Sequence, residues 1–335
     1  MMINNDTTLN HLFKPLIKWL EDKDITEIAI NRPGEVWIEK NDKWECFDCP
    51  LLTFVYLNSM ATAVASYCDN NISISEPMLS ATLPKGERIQ CVIPPACSPN
   101  TVSITIRKPN SSQRTLADYQ DDGFFDHVIP SSQTVSPIDT QLLKLKESDI
   151  AEFLTLAIKA QKTIVIAGGT GSGKTTFMKM LIDLIPHHQR LITIEDVAEL
   201  FLPNTPNKVH LFYPSEATQN APITSAKLLK SCLRMKPDRI MLAELRGAET
   251  FDFVNIAASG HGGSITSCHA GSAALTFERL ASMIMKNPEA VAMPYDVIMT
   301  LLHQVIDVVI HIDNDVHSEN PIGRHITEVW FKPNE

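Results

Sequence analysis

No apolar run in this sequence approaches the ~18 residues that a membrane-spanning helix needs. Its opening, MMINNDTTLN, lacks the basic start and apolar middle of a secretory signal. These two absences place the chain in the cytoplasm. A disulfide framework is missing as well, because seven cysteines at irregular spacing are an odd set that suits reduced thiols. Cys46 and Cys49 form a single CxxC with no second pair at zinc-ligand spacing, which favours a role in a strand or turn over a metal site. Positive charge is scarce, with 29 Lys and Arg against 39 Asp and Glu. The resulting net charge of −10 argues against broad nucleic-acid binding, which needs a basic face. No internal repeat is evident.

What is present suffices for two cored domains: 335 residues, 44% hydrophobic and 20% charged. Leu9, Leu12, Phe13, Leu16, Ile17 and Leu20 recur at helical spacing and predict an N-terminal amphipathic helix with Pro15 in its first turn. Lys14, Lys18 and Trp19 would suit a membrane surface, but Glu21, Asp22 and Asp24 on the polar side favour ordinary packing. ITEIAIN and EVWIEK flank Arg32-Pro33-Gly34 as a hairpin, TFVYLNSMATAVASYC reads as a helix, and ERIQCVI and TVSITIRK read as strands. These elements predict a small α+β domain over residues 1–108. Residues 109–147 turn to Ser, Gln, Asp, Thr and Pro and read as a linker, with a short helix around TLADYQ. From residue 148 onward the helix SDIAEFLTLAIKAQ is followed by strands that alternate with helices: TIVIA, LITIED, RIMLAE, SITSCHA and VIDVVIHI. That alternation predicts an α/β layer with a mostly parallel sheet over residues 148–335.

Directly after TIVIA stands AGGTGSGKTT. Gly168, four residues, then Gly173, Lys174 and Thr175 match G-x-x-x-x-G-K-[ST], the phosphate-cradling loop. A chance match is expected about once in a hundred chains of this length, and the strand before it and helical spacing after it make chance rarer still. Glycines let backbone N–H groups converge on phosphate, and the following helix N-terminus adds partial positive charge. Gly168, Gly169, Thr170, Gly171, Ser172, Gly173, Lys174, Thr175 and Thr176 are therefore the candidate nucleotide-binding residues. Lys174 is expected on the β/γ-phosphates and the Thr175 hydroxyl on Mg²⁺.

Cleaving a phosphoanhydride also needs an oriented water, and carboxylates close the following strands. Glu195 and Asp196 end LITIED, and Glu244 ends RIMLAE. In open α/β sheets the C-terminal strand ends surround the ligand, so all three can face one nucleotide. Glu244 is the candidate base. Ala243 stands where many P-loop enzymes place a magnesium-binding Asp, which leaves Glu195, Asp196 or bridging waters to compensate. His261 and His269 bracket a Gly-Gly pair and a short strand, where a donor can sense the terminal phosphate, whereas His187 and His188 follow Pro186 as turn residues.

GGTGSGKTT, LITIEDVAEL, LRMKPDRIMLAELRGAE and SGHGGSITSCHA, in that order, resemble the secretion traffic ATPases, where they are the P-loop, Asp box, atypical Walker B and His box. The resemblance is dense over residues 150–279 and thinner over GERIQCVIPP and SITIRKP. It implies a RecA-like P-loop NTPase domain, ATP and Mg²⁺ as ligands, a smaller N-terminal domain on a flexible linker, and a homo-hexameric ring. It also implies arginines from the N-terminal domain and linker that close over the nucleotide, for which Arg88, Arg107 and Arg114 are the matching candidates. Only Cys232 and Cys268 lie beyond Lys108, so the four-cysteine zinc insertion of type II assembly ATPases is missing. AELRGAE lacks the Asp after Arg that is typical of pilus-retraction motors. The chain most resembles the type IV secretion motor, with inner-membrane components of the apparatus as partners and peripheral membrane contact as an open option. A retraction motor and a slow, nucleotide-gated docking platform are the alternatives.

Overall fold

The structure is a computed structural model that describes residues 5–109, 114–128, 136–216, 221–316, 319 and 321–332. The chain first forms α1 (Asn5–Leu12), α2 (Ile17–Glu21), β1 (Ile25–Ile30), β2 (Gly34–Lys40), β3 (Lys43–Cys49), α3 (Phe54–Tyr67), β4 (Met78–Thr82), β5 (Arg88–Val92) and β6 (Ser103–Arg107). The strands make one antiparallel sheet in the order β3-β2-β1-β6-β5-β4. Leu57, Met60 and Val64 of α3 pack with Ile28, Ile30, Ile104 and Ile106 of the sheet to form its core. The expected N-terminal helix is divided. A 3-10 turn over Lys14–Leu16 separates α1 from α2, since Pro15 has no N–H to continue the helical ladder. Cys46 and Cys49 both lie in β3, the first exposed and the second buried, on opposite faces of the strand.

Two helices lie in the segment expected to be a linker. The first is α4 (Leu116–Asp121), at the expected TLADYQ. The second, α5 (Pro137–Ser148), corrects the linker boundary: Ser136 caps it by accepting from the Asp139 N–H at 3.0 Å, and Leu142 is wholly buried with Phe153 and Ile158. Its polar composition hid a helix that buries one narrow stripe.

The remaining elements are α6 (Ile150–Lys159), β7 (Ile164–Gly168), α7 (Lys174–Asp183), β8 (Leu191–Glu195), β9 (Lys208–Phe212), α8 (Ser225–Cys232), β10 (Arg239–Leu242), α9 (Glu249–Ala258), β11 (Ile265–Cys268), α10 (Ala273–Ile284), α11 (Tyr295–Val305), β12 (Val308–Asp315) and β13 (Gly323–Phe331). They build a seven-stranded sheet in the order β13-β12-β7-β11-β10-β8-β9, parallel except for β13. Its central strands are buried on both faces, which is why TIVIA and LITIE read as continuous apolar runs. Alternation decides which layer each residue enters. Ile164 and Ile166 pack under α5, α6 and α7, while Val165 and Ala167 pack with residues of α8 to α11. β9 and β13 went unrecognised in the sequence, as did β3 and β4 of the first sheet. All four are sheet-edge strands whose exposed positions dilute the apolar signal.

The antiparallel sheet docks at the N-terminal ends of the motor strands. Arg190, just before β8, is 0% exposed and donates through Nη1 to Asn31 Oδ1 at 2.7 Å and Asn207 Oδ1 at 2.6 Å, and through Nε to the Met235 carbonyl at 2.9 Å. Asn31 Nδ2 also donates to Asn207 Oδ1 at 3.0 Å, and Lys236 pairs with Glu39 at 3.0 Å. Along the edge strand β9, the Phe212 N–H donates to the Ala96 carbonyl at 2.9 Å.

Candidate functional site

The glycines of the loop after β7 are there for space as well as conformation. A Cβ on Gly168 would stand 2.3 Å from the Ile312 carbonyl oxygen, so only glycine lets β12 pair this closely with the loop's first residue. Gly173, at φ +95°, is the left-handed residue that turns the loop into α7. Around the loop and the first turn of α7, Gly169, Thr170 and Thr176 are exposed and Thr175 is half-buried. Ser172 is buried and donates its hydroxyl to the Gly169 carbonyl at 2.9 Å.

Lys174 is 8% exposed, and its Nζ donates to the Gly168 and Gly169 carbonyls, each at 2.9 Å. Burial holds its pKa below the usual lysine value, opposed by Glu244. The strand order β7-β11-β10-β8 sets the neighbours of this cation, because each strand's C-terminal end delivers one group. His269, past β11, accepts from Lys174 Nζ at Nδ1 (3.4 Å), which leaves Nε2 as the protonated nitrogen that donates to Glu244 Oε1 at 3.1 Å. Glu244, past β10, also takes Arg246 Nη2 at 2.8 Å, and the other arm of that guanidinium pairs with Asp196 past β8. Asp196 accepts in addition from the Val197 N–H at 3.0 Å. Lys174, His269, Glu244, Arg246 and Asp196 thus form a continuous row of alternating donors and acceptors along the C-terminal edge of the sheet.

Other candidates lie elsewhere. Glu195 is 1% exposed and fully engaged: it accepts from the Thr193 hydroxyl at 2.6 Å, from the Glu199 and Leu200 N–H groups at 2.9 and 2.7 Å, and stands 3.3 Å from His210. Burial raises its pKa, but the hydrogen bonds outweigh burial and hold it below the ordinary carboxylate value. It is a brace for the turn after β8. His261 lies before β11, at the end of the sheet opposite the loop, where burial and nearby Lys236 depress its pKa. Arg88 and Arg107 are cross-strand partners in β5 and β6 and line a cleft of about 520 Å³ with Glu27, Glu39 and Lys236. Arg107 is 66% exposed at its side chain and 3.6 Å from Glu27. Because Lys236 precedes β10, this cleft is at the N-terminal strand ends, about 15 Å of strand from the loop of the same chain. Arg114 stays with its own helix, its guanidinium 4.5 Å from the Tyr119 ring centre and bonded to Asp122 and to the Asp118 carbonyl. His187 and His188 are exposed.

Two residues, one in the row and one at the loop, stand outside the candidates that the motifs name. Arg246 stands two positions after Glu244, and its proximity was legible. Arg324 of β13, whose Nε donates to the Gly171 carbonyl at 3.2 Å, is 153 positions away, and no local pattern announces it.

A buried lysine in a glycine cradle, with a histidine and two carboxylates from the next three strands of the sheet, brings together at one edge the four motifs that resemble those of the secretion ATPases. Residues 10–320 match the family described as Type II/IV secretion system protein. The chain belongs to that family. Among curated proteins it is similar to the type IV secretion system protein VirB11 of Brucella suis, 56% identical over 335 residues, covering 99% of this chain and 92% of that protein. It is also similar to PtlH of Bordetella pertussis, 42% identical over 316 residues, with 94% and 92% covered. Among solved structures it superposes on the VirB11 ATPase from the Brucella suis type IV secretion system, crystallised with sulphate, with a TM-score of 0.92, 55% identity and 98% of each chain covered. The resemblance to the type IV branch read from the motifs is borne out, as is the α/β architecture with a smaller α+β part. No helix among the described residues is long and apolar enough to cross a membrane.

Proposed function

We propose that the protein is an ATP hydrolase that drives a type IV secretion system as a ring of six subunits, working with inner-membrane components of that apparatus. The observation that carries this reading is the row that joins Lys174 through His269 to Glu244 beside the glycine cradle. The residues fit a nucleotide phosphate group: Lys174 can exchange the two loop carbonyls for phosphate oxygens, and the Gly168 position leaves no room for any other side chain. They also fit Mg²⁺ held in the usual sparse way, by the hydroxyl of half-buried Thr175 on the first turn of α7 with phosphate and water. The bound nucleotide and its metal supply the phosphoanhydride and its charge neutralisation. Glu244 orients and deprotonates water, and His269 relays the occupancy of Lys174 to Glu244.

In this arrangement Glu244 is already held by Arg246 and His269, which favours slow turnover until that pairing is released. Arg88 and Arg107 face away from the loop of their own chain, so their part in closure is to reach the nucleotide of a neighbouring subunit in the ring. Lys174→Ala should abolish hydrolysis and weaken ATP binding at unchanged melting temperature. Phosphate release and ATP titration check this, and hydrolysis within a few-fold of the unaltered protein would overturn the reading.

A further inference from the structure

The phosphate loop is gripped from outside by the last hairpin of the chain. Ile312 of β12 pairs with Gly168, with its carbonyl against the missing Cβ, and sets the start of the loop. Arg324 stands opposite Asn314 in the β12–β13 ladder and reaches the middle and end of the loop. Its Nε donates to the Gly171 carbonyl at 3.2 Å, and its Cδ lies 3.2 Å from where a Cβ on Gly173 would be.

We infer that Arg324 is a positioning residue for the nucleotide, acting through the Nε–H···O bond that it makes to Gly171. A trans peptide points its carbonyl and the next N–H in opposite directions. Holding the Gly171 oxygen outward on Arg324 therefore turns the Ser172 N–H inward, where it now makes only a long 3.4 Å contact to the Gly169 carbonyl. Gly171, at φ +78°, has no Cβ to resist rotation of that peptide. A loop whose inward donors are set before the ligand arrives binds phosphate without first paying to order them. A carbonyl that swung inward would instead face the phosphate with like charge.

The inference rests on the nucleotide-binding reading above, and the test separates the two. Gln places its Nε2 at the same distance along the side chain as arginine Nε, and so keeps a donor for Gly171 without the charge. Met keeps the bulk and loses the donor. Titrating Mg·ADP at fixed ionic strength, we expect Arg324→Met to raise Kd about five- to tenfold, the size of one charge-assisted bond partly exposed to solvent. Arg324→Gln should bring Kd back to within about twofold of the unaltered protein. Equal Kd for Arg324→Met and the unaltered protein would overturn the inference. So would an Arg324→Gln that loses as much as Arg324→Met, since the charge rather than the N–H would then matter. If Lys174→Ala binds ADP as tightly as the unaltered protein, the site assignment itself fails, whatever the Arg324 variants do.

Discussion

The two ends of the seven-stranded sheet each bury a cation, and they treat it differently. At the C-terminal ends Lys174 is bonded to two carbonyls of a glycine-rich loop and to one histidine. At the N-terminal ends Arg190 is bonded to Asn31, Asn207 and the Met235 carbonyl, groups from both parts of the chain. Burial lowers the pKa of both, that of Arg190 to about 10, so each depends on its partners. Under the proposed function the partners of Lys174 can be replaced by a ligand. Those of Arg190 cannot, because no opening to solvent remains. The same sheet thereby carries an exchangeable site at one end and a permanent joint at the other.

The largest effect that would test this division is on turnover. Glu244→Gln should lower single-turnover hydrolysis by about 10²–10⁴-fold with no loss of stability, whereas Glu195→Gln should lower stability instead, as it disturbs a buried carboxylate that accepts from two N–H groups. If Glu195→Gln shows the larger kinetic defect, the base lies there. A smaller effect is expected at the joint. Arg190→Met leaves the Met235 carbonyl and Asn31 Oδ1 short of a donor in the interior, at a cost of about 2–4 kcal/mol by chemical denaturation, while ADP affinity stays within twofold. A matching loss of ADP affinity would show that the two ends are coupled.

The smallest effect concerns pH. Burial pushes the Glu27 carboxyl, at the edge of the joint, up to about 7 against the pull of Arg107, and its Oε2 has no hydrogen-bond partner among the described residues. A carboxyl raised in the folded state stabilises it fully only below its ordinary value of 4.5, and that contribution is lost as pH rises through about 7. Melting temperature should therefore fall between about pH 5 and 7.5, a change worth about 1–3 kcal/mol, and Glu27→Gln should flatten that slope. A slope unchanged by the substitution would assign the pH dependence to another group.

Local chemistry decided much of this in the sequence alone. The loop motif names its own geometry, because only glycine tolerates the backbone of Gly168 and Gly173, and the apolar runs before it and after it declare buried parallel strands. Hairpin β1–β2, helix α3 and the acid-bearing strand ends were legible for the same reason: each is set by neighbours within a few residues. Tertiary structure decided the rest. Which carboxylate faces the loop depends on strand order, and the order β7-β11-β10-β8 puts Glu244 and Asp196 in the row while the turn after β8 folds over Glu195. The positions of Arg107 and Arg88 at the far end of the sheet follow from how the two sheets dock, a contact between residues more than a hundred positions apart. Arg324 comes to Gly171 only because β12 pairs with β7, and long-range pairing of that kind leaves no mark in the residues next to either partner.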